Sequence, residues 1–120
     1  MIKPLFQRVV VGYNGSRSSL HTVLYAILMA KVYKCAVKVV SVVDIASIKY
    51  LTLQKFMVSQ EGESIAKSLE SDSEKNLDYV TDLAKSKGVK IETEIRKGAV
   101  WSEIITAADE FKADLILLGG

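Results

Sequence analysis

The sequence is poor in the residues that build stapled or metal-held scaffolds. Of its 120 residues, one is cysteine (Cys35), one is histidine (His21) and one is proline. A lone thiol excludes an internal disulfide, and no Cys/His cluster exists for a zinc site. Such cysteine usage points to a reducing, cytoplasmic setting. No apolar run approaches the roughly 20 residues of a membrane span. The start, Met1-Ile2-Lys3-Pro4, shows no signal-peptide hydrophobic region ahead of the first strand-like run. Charge of one sign is scarce too: 16 basic against 14 acidic residues leave +2, too little to make an electrostatic case for nucleic acid. Seven glycines and a single proline do not suit a linker or a disordered tail. What remains is 49% hydrophobic, over a length of about one domain, 1–120. A chain of this size buries roughly two-thirds of the surface it exposes when unfolded.

Short β-branched runs punctuate the chain. Arg8–Tyr13 is the first and Ala36–Val43 the second, whose near-continuous valines fit a strand covered on both faces. Val89–Ile95 alternates apolar with polar residues, as a half-exposed edge strand does. Asp114–Leu118 is again apolar after its first residue. Between these runs the period changes to 3.6. Leu20, Val23, Leu24, Ile27 and Leu28 form one stripe, with Ser16 or Ser18 placed to cap it. Ile104, Ile105, Ala108 and Phe111 form another, over about 102–112. Leu77, Val80, Leu83 and Ala84 form a third, closed by Gly88. From Ile45 to Glu63, Ile48, Leu51, Phe56 and Met57 give no clean stripe, and the segment reads as a partly helical flap.

The alternation of strands and helices predicts an α/β fold: an open, doubly wound parallel sheet with helices on both faces and right-handed crossovers. The apolar strands one and four belong at the centre and strand three at an edge, which gives the order 3-2-1-4. The open edge beside strand four calls for a partner or more chain. Ligands of such sheets bind beyond the carboxyl ends of the strands, where the strand order reverses. Here that point lies between strands one and four, where Gly12-Tyr13-Asn14-Gly15-Ser16, Val42-Val43-Asp44 and Leu118-Gly119-Gly120 meet. Gly15 and Ser16 open a helix after a strand, a place for an anion or simply a tight turn and a cap. Gly119-Gly120 permits close approach to a ligand or an ordinary turn. Asp44 stands where a ribose hydroxyl or a metal could sit, and Asp is also a common turn residue. The spacing is neither Gly-x-Gly-x-x-Gly nor a Walker loop. His21 reads as a surface residue, Cys35 as a small buried side chain, and Trp101 as packing at a helix start or meeting a partner. Neither a nucleophile–base pair nor paired carboxylates at a shared strand end occur, so catalysis has little direct support and no metal site is assigned.

Taken together, these residues resemble the universal stress protein family over essentially the whole chain. Val9–Ser16 looks like its first strand ending in Asp-Gly-Ser, and Ser41-Val42-Val43-Asp44 like its second-strand ending. Gly98–Ile104 resembles its Gly-x-x-x-x-Glu/Ala-Ile segment, and Ala107–Gly119 its Ala-x-x-x-x-x-Asp-Leu-Ile-x-x-Gly ending. The resemblance implies a fifth parallel strand, absent from this chain, and dimers or tandem pairs. In one branch it implies ATP with magnesium at the switch point. By that resemblance Gly12, Tyr13 and Asn14 line the nucleoside, Val42 touches the adenine, and Leu118 and Gly119 start the phosphate loop. That loop continues in the ATP-binding branch as Gly-x-x-Gly and a later Gly-Ser/Thr, of which this sequence holds Gly119. Asn14 stands where the family usually has Asp, which removes a charge from the ribose or metal contacts. The expectation is a regulatory domain without catalysis that binds an adenine nucleotide and forms a homodimer at its open edge. The alternatives are a domain of the same family that binds no nucleotide and works through protein contacts, and a flavodoxin-like flavin carrier with Asn14–Ser19 as its phosphate loop.

Overall fold

The computed structural model describes residues 6–54 and 58–119. Its elements run β1 (Arg8–Gly12), α1 (Arg17–Tyr33), β2 (Ala36–Val43), α2 (Ile45–Leu53), α3 (Ser59–Ser86), β3 (Glu92–Lys97), α4 (Val100–Phe111) and β4 (Leu115–Leu118). All pairings are parallel, in the order β3-β2-β1-β4. The register sets Val9 and Val11 opposite Val37 and Val39, and Val10 and Gly12 opposite Ile116 and Leu118.

Side chains alternate across a strand, so β1 and β2 feed two cores. Val9, Val11, Val37 and Val39 pack with Val23, Ala26, Ile27 and Ala30 of α1 and Leu77, Val80 and Ala84 of α3. Val10 and Val40 pack on the other face with Ile104, Ala107, Ala108 and Phe111 of α4. Helices thus lie on both faces. Val9, Val10 and Val11 have no exposed surface, and burying each such side chain is worth about 1.5–3 kcal/mol. At the far end of the sheet, Asp114 Oδ2 accepts from the Gln7 and Arg8 amides at 2.6 and 2.9 Å, tying β4 to β1.

The structure departs from the sequence reading in the bounds of some elements and in the burial of some side chains. The sheet order is the expected 3-2-1-4, which leaves β4 with β1 on one side and no further strand on the other among the described residues. The third strand is Glu92–Lys97 where Val89–Ile95 was expected. Val89 is buried and Ile91 packs on the larger core, but pairing with β2 begins only at Lys38 and Glu92. Within the flap, α2 covers Ile45–Leu53 as the partly helical reading expects, but α3 begins at Ser59, far ahead of the Leu77 stripe. Phe56 and Met57 lie outside the described residues, as does Gly120. Leu28 and Ile105, placed on buried stripes, are exposed, their places in the cores being taken by Ala26, Ala30 and Ala107. Cys35 is buried and His21 exposed.

Candidate functional site

Of the loops predicted to converge, the one after β1 is the most tightly built. Tyr13 N donates to Val40 O at 2.9 Å, which carries the chain past the end of β1. Gly15 then takes a left-handed conformation (φ +85) that disfavours a side chain. Asn14 Oδ1 accepts from Ser16 N at 3.0 Å and from Ser19 Oγ at 2.8 Å, closing the turn on itself. Ser16, one of the two capping candidates, is the N-cap of α1: its Oγ accepts from Ser19 N at 3.2 Å. With Oδ1 spent inside the loop, the Asn14 amide nitrogen is the group left for a ligand, a donor where Asp would offer only an acceptor.

Tyr13 lies in the core and is only 5% exposed. Burial, aided by the nearby Tyr79 phenol, pushes its pKa up and keeps it neutral. Asp44 caps α2, its carboxylate accepting from Ser47 N at 3.0 Å and Ser47 Oγ at 2.8 Å. Gly119 lies on the first turn of α1, where a Cβ would stand 2.7 Å from Ser19 N and 2.8 Å from Ser18 O. Glycine is the residue that allows β4 to end so close to the helix.

A cleft of about 200 Å³ opens where these ends meet, lined by Gly12, Tyr13, Asn14, Val40, Val42, Leu118 and Gly119 together with Ser19, Val100, Trp101 and Ile104. Of the predicted site residues, Gly12, Tyr13, Asn14, Val42, Leu118 and Gly119 share this cleft. Gly15 and Asp44 line an adjoining trough instead, and Ser16 serves the cap. The wall formed by α4 was missed. Trp101, for which the sequence left open packing at a helix start or contact with a partner, is 65% exposed and lines the cleft. Its placement is firm: Gly98 (φ +148) leaves room for Glu103, whose carboxylate holds Arg96 at 2.9 Å and so pins the first turn of α4 to β3. A lone tryptophan three residues after such a glycine was the available signal.

The lining is apolar with a few amide and hydroxyl groups, which suits a flat heterocycle better than a multiply charged group. A protein-held magnesium does not fit. Among the described residues no three His, Cys, Asp or Glu side chains gather as metal ligands, and both Asp44 oxygens answer Ser47. Magnesium would therefore arrive on a ligand's phosphates.

The universal stress protein family profile matches residues 5–120. The chain belongs to the universal stress protein family. It is 32% identical over 115 residues to a universal stress protein of Methanocaldococcus jannaschii, a match covering 96% of this chain and 65% of that relative's length. The chain thus spans slightly under two-thirds of this relative. A universal stress family protein from Burkholderia pseudomallei superposes with a TM-score of 0.80 at 19% identity, over 95% of this chain and 81% of that one, and so shares the fold. A universal stress protein solved in complex with cAMP superposes with a TM-score of 0.67 at 28% identity, over 93% of this chain and 75% of that one. No helix among the described residues of this universal stress domain is long and apolar enough to cross a membrane.

Proposed function

We propose that this universal stress domain is a regulatory binding module that takes an adenine nucleotide at the carboxyl ends of β1, β2 and β4. The observation that carries this reading is the cleft itself, whose floor is Gly12, Asn14, Val42, Leu118 and Gly119 and whose wall is Trp101 and Ile104. The base occupies the apolar part beside Val42 and Trp101. The Asn14 side-chain amide nitrogen, left over by the loop's own hydrogen bonds, faces the sugar. ATP brings its magnesium on its phosphates, and the protein holds the nucleoside end. The relative solved with cAMP supports an adenine ligand for the family fold. No catalytic step is assigned, and the module signals from the cytoplasm through what it binds, as a homodimer formed at the open β4 edge.

A second reading, a domain that binds no nucleotide and acts through protein contacts, is favoured by one observation. Helix α1 presents Tyr25, Leu28, Val32 and Tyr33 to solvent, each more than half exposed. The flavin reading is weakened by the Ser16 and Ser19 hydroxyls, which are turned onto the loop and Asn14.

Titration calorimetry of the purified chain with Mg-ATP, cAMP, adenosine and FMN tests the proposal. The expected result is heat from the adenine ligands and none from FMN. Trp101→Ala should weaken binding by about 1–3 kcal/mol, the worth of one base–aromatic stack. A folded chain that takes up no adenine ligand sinks the proposal in favour of the protein-contact reading.

A further inference from the structure

The cleft does not end at Val42. A second, polar trough of about 520 Å³ opens beside it and shares Asn14, Val42 and Val100 with it. Its far wall is α3, through Asp72, Lys75 and Asn76. Asn76 lies against the β1–α1 turn: a Cβ on Gly15 would stand 2.6 Å from its Nδ2 and 3.3 Å from its Oδ1. The positive φ of Gly15 is what favours glycine there, and the Asn76 amide packs directly above it. Asn76 is half-buried and has no hydrogen-bond partner among the described residues. The floor, by contrast, is satisfied, since Ser41 Oγ donates to Ser73 Oγ at 3.0 Å.

The charges around the trough decide what it can take. Asp44 and Asp72 outnumber Lys75, so a phosphate placed there would face two carboxylates and one ammonium. A neutral group that both donates and accepts suits an open amide better, because the amide offers both. We infer that the trough is a second subsite for the same ligand, in which Asn76 reads a neutral hydrogen-bonding part of a nucleoside and the phosphates are kept out. That part is either the ribose hydroxyls or the polar edge of the base. The inference rests on the nucleoside reading of the neighbouring cleft.

Calorimetry with adenosine, 2′-deoxyadenosine and purine riboside, on the unaltered chain and on Asn76→Leu, separates the cases. Asn76→Leu is expected to weaken adenosine binding about fivefold, the worth of one neutral hydrogen bond. The loss should shrink for 2′-deoxyadenosine if the sugar is read, or for purine riboside if the base edge is read. Equal adenosine affinity in both proteins, or the same loss for all three ligands, overturns the inference and leaves the cleft reading standing. If thermal melting shows Asn76→Leu to be unfolded, Asn76→Asp, which keeps the shape and removes the donor, is held to the same comparison. No adenosine binding by the unaltered chain overturns the cleft reading first, and this inference with it.

Discussion

Val9, Val10 and Val11 have no exposed surface, whereas no residue of α2 is buried. The two segments lie on neighbouring parts of one small domain and are similarly apolar, so hydrophobicity alone does not separate them. Position does. β1 has a strand on each side and helices on both faces, so every side chain meets a partner. α2 leans chiefly on α3, and between them runs an apolar groove of about 370 Å³ lined by Ile45, Ile48, Leu53 and Ala66. The candidate site sits at the rigid end of this contrast, where the Asn14–Ser19 network already holds the loop in one shape. Such preorganisation lowers the ordering cost that binding would otherwise carry.

The largest effect that would test this contrast is in the core. Ile27→Ala, at a site 1% exposed, should cost about 2–5 kcal/mol in urea unfolding. Leu53→Ala, at a site 78% exposed, should stay within about 0.5 kcal/mol. Similar losses at both sites would mean that α2 is packed in solution and the contrast is unreal.

Next in size is Gly119→Ala. Its Cβ would meet the backbone of Ser18 and Ser19, which cannot rotate away as a side chain can, so β4 or α1 must shift. The expected cost is about 1–3 kcal/mol, with loss of any adenine binding in the cleft. A substitution without effect on stability or binding would show that the end of β4 is looser than drawn.

The smallest effect concerns acid. The amides of Arg8 and then Gln7, donating to Asp114, hold its carboxyl below the usual carboxylate range. A group with a depressed folded pKa stabilises the fold above its unfolded value of about 3.9 and loses that contribution as pH falls through the folded value. Asp114→Asn should therefore lower the melting temperature slightly at neutral pH and by less below about pH 4. An unchanged difference across that range would show that the charge plays no part.

The sheet order was legible because burial leaves different marks on different strands. Val37–Val43 is near-continuously apolar since both faces are covered, whereas the edge strand Glu92–Lys97 is mostly polar and only half-buried. Ser16 announced a helix start because a hydroxyl is what a first turn lacks. The first half of α3 was not legible. Most of its residues are exposed, Ile65 and Leu69 included, so few apolar positions set a 3.6 period there. Leu28 and Ile105 misled for the converse reason: an apolar residue beside a buried stripe looks buried in sequence, and only packing decides it. In the site, the strand-end residues could be found because turns and glycines mark them. Trp101 offered only its spacing from Gly98 and Asn76 nothing, because both reach the site from helices whose placement is tertiary.

The most direct test of a nucleoside site at the ends of β1, β2 and β4 is a ¹⁵N-labelled amide correlation spectrum of this chain titrated with adenosine. The account predicts shifts concentrated at Gly12, Asn14, Val42, Gly119 and the Trp101 indole. Shifts confined to Ile48, Leu53 and Ala66 in the α2–α3 groove, or none at saturating adenosine, would contradict it.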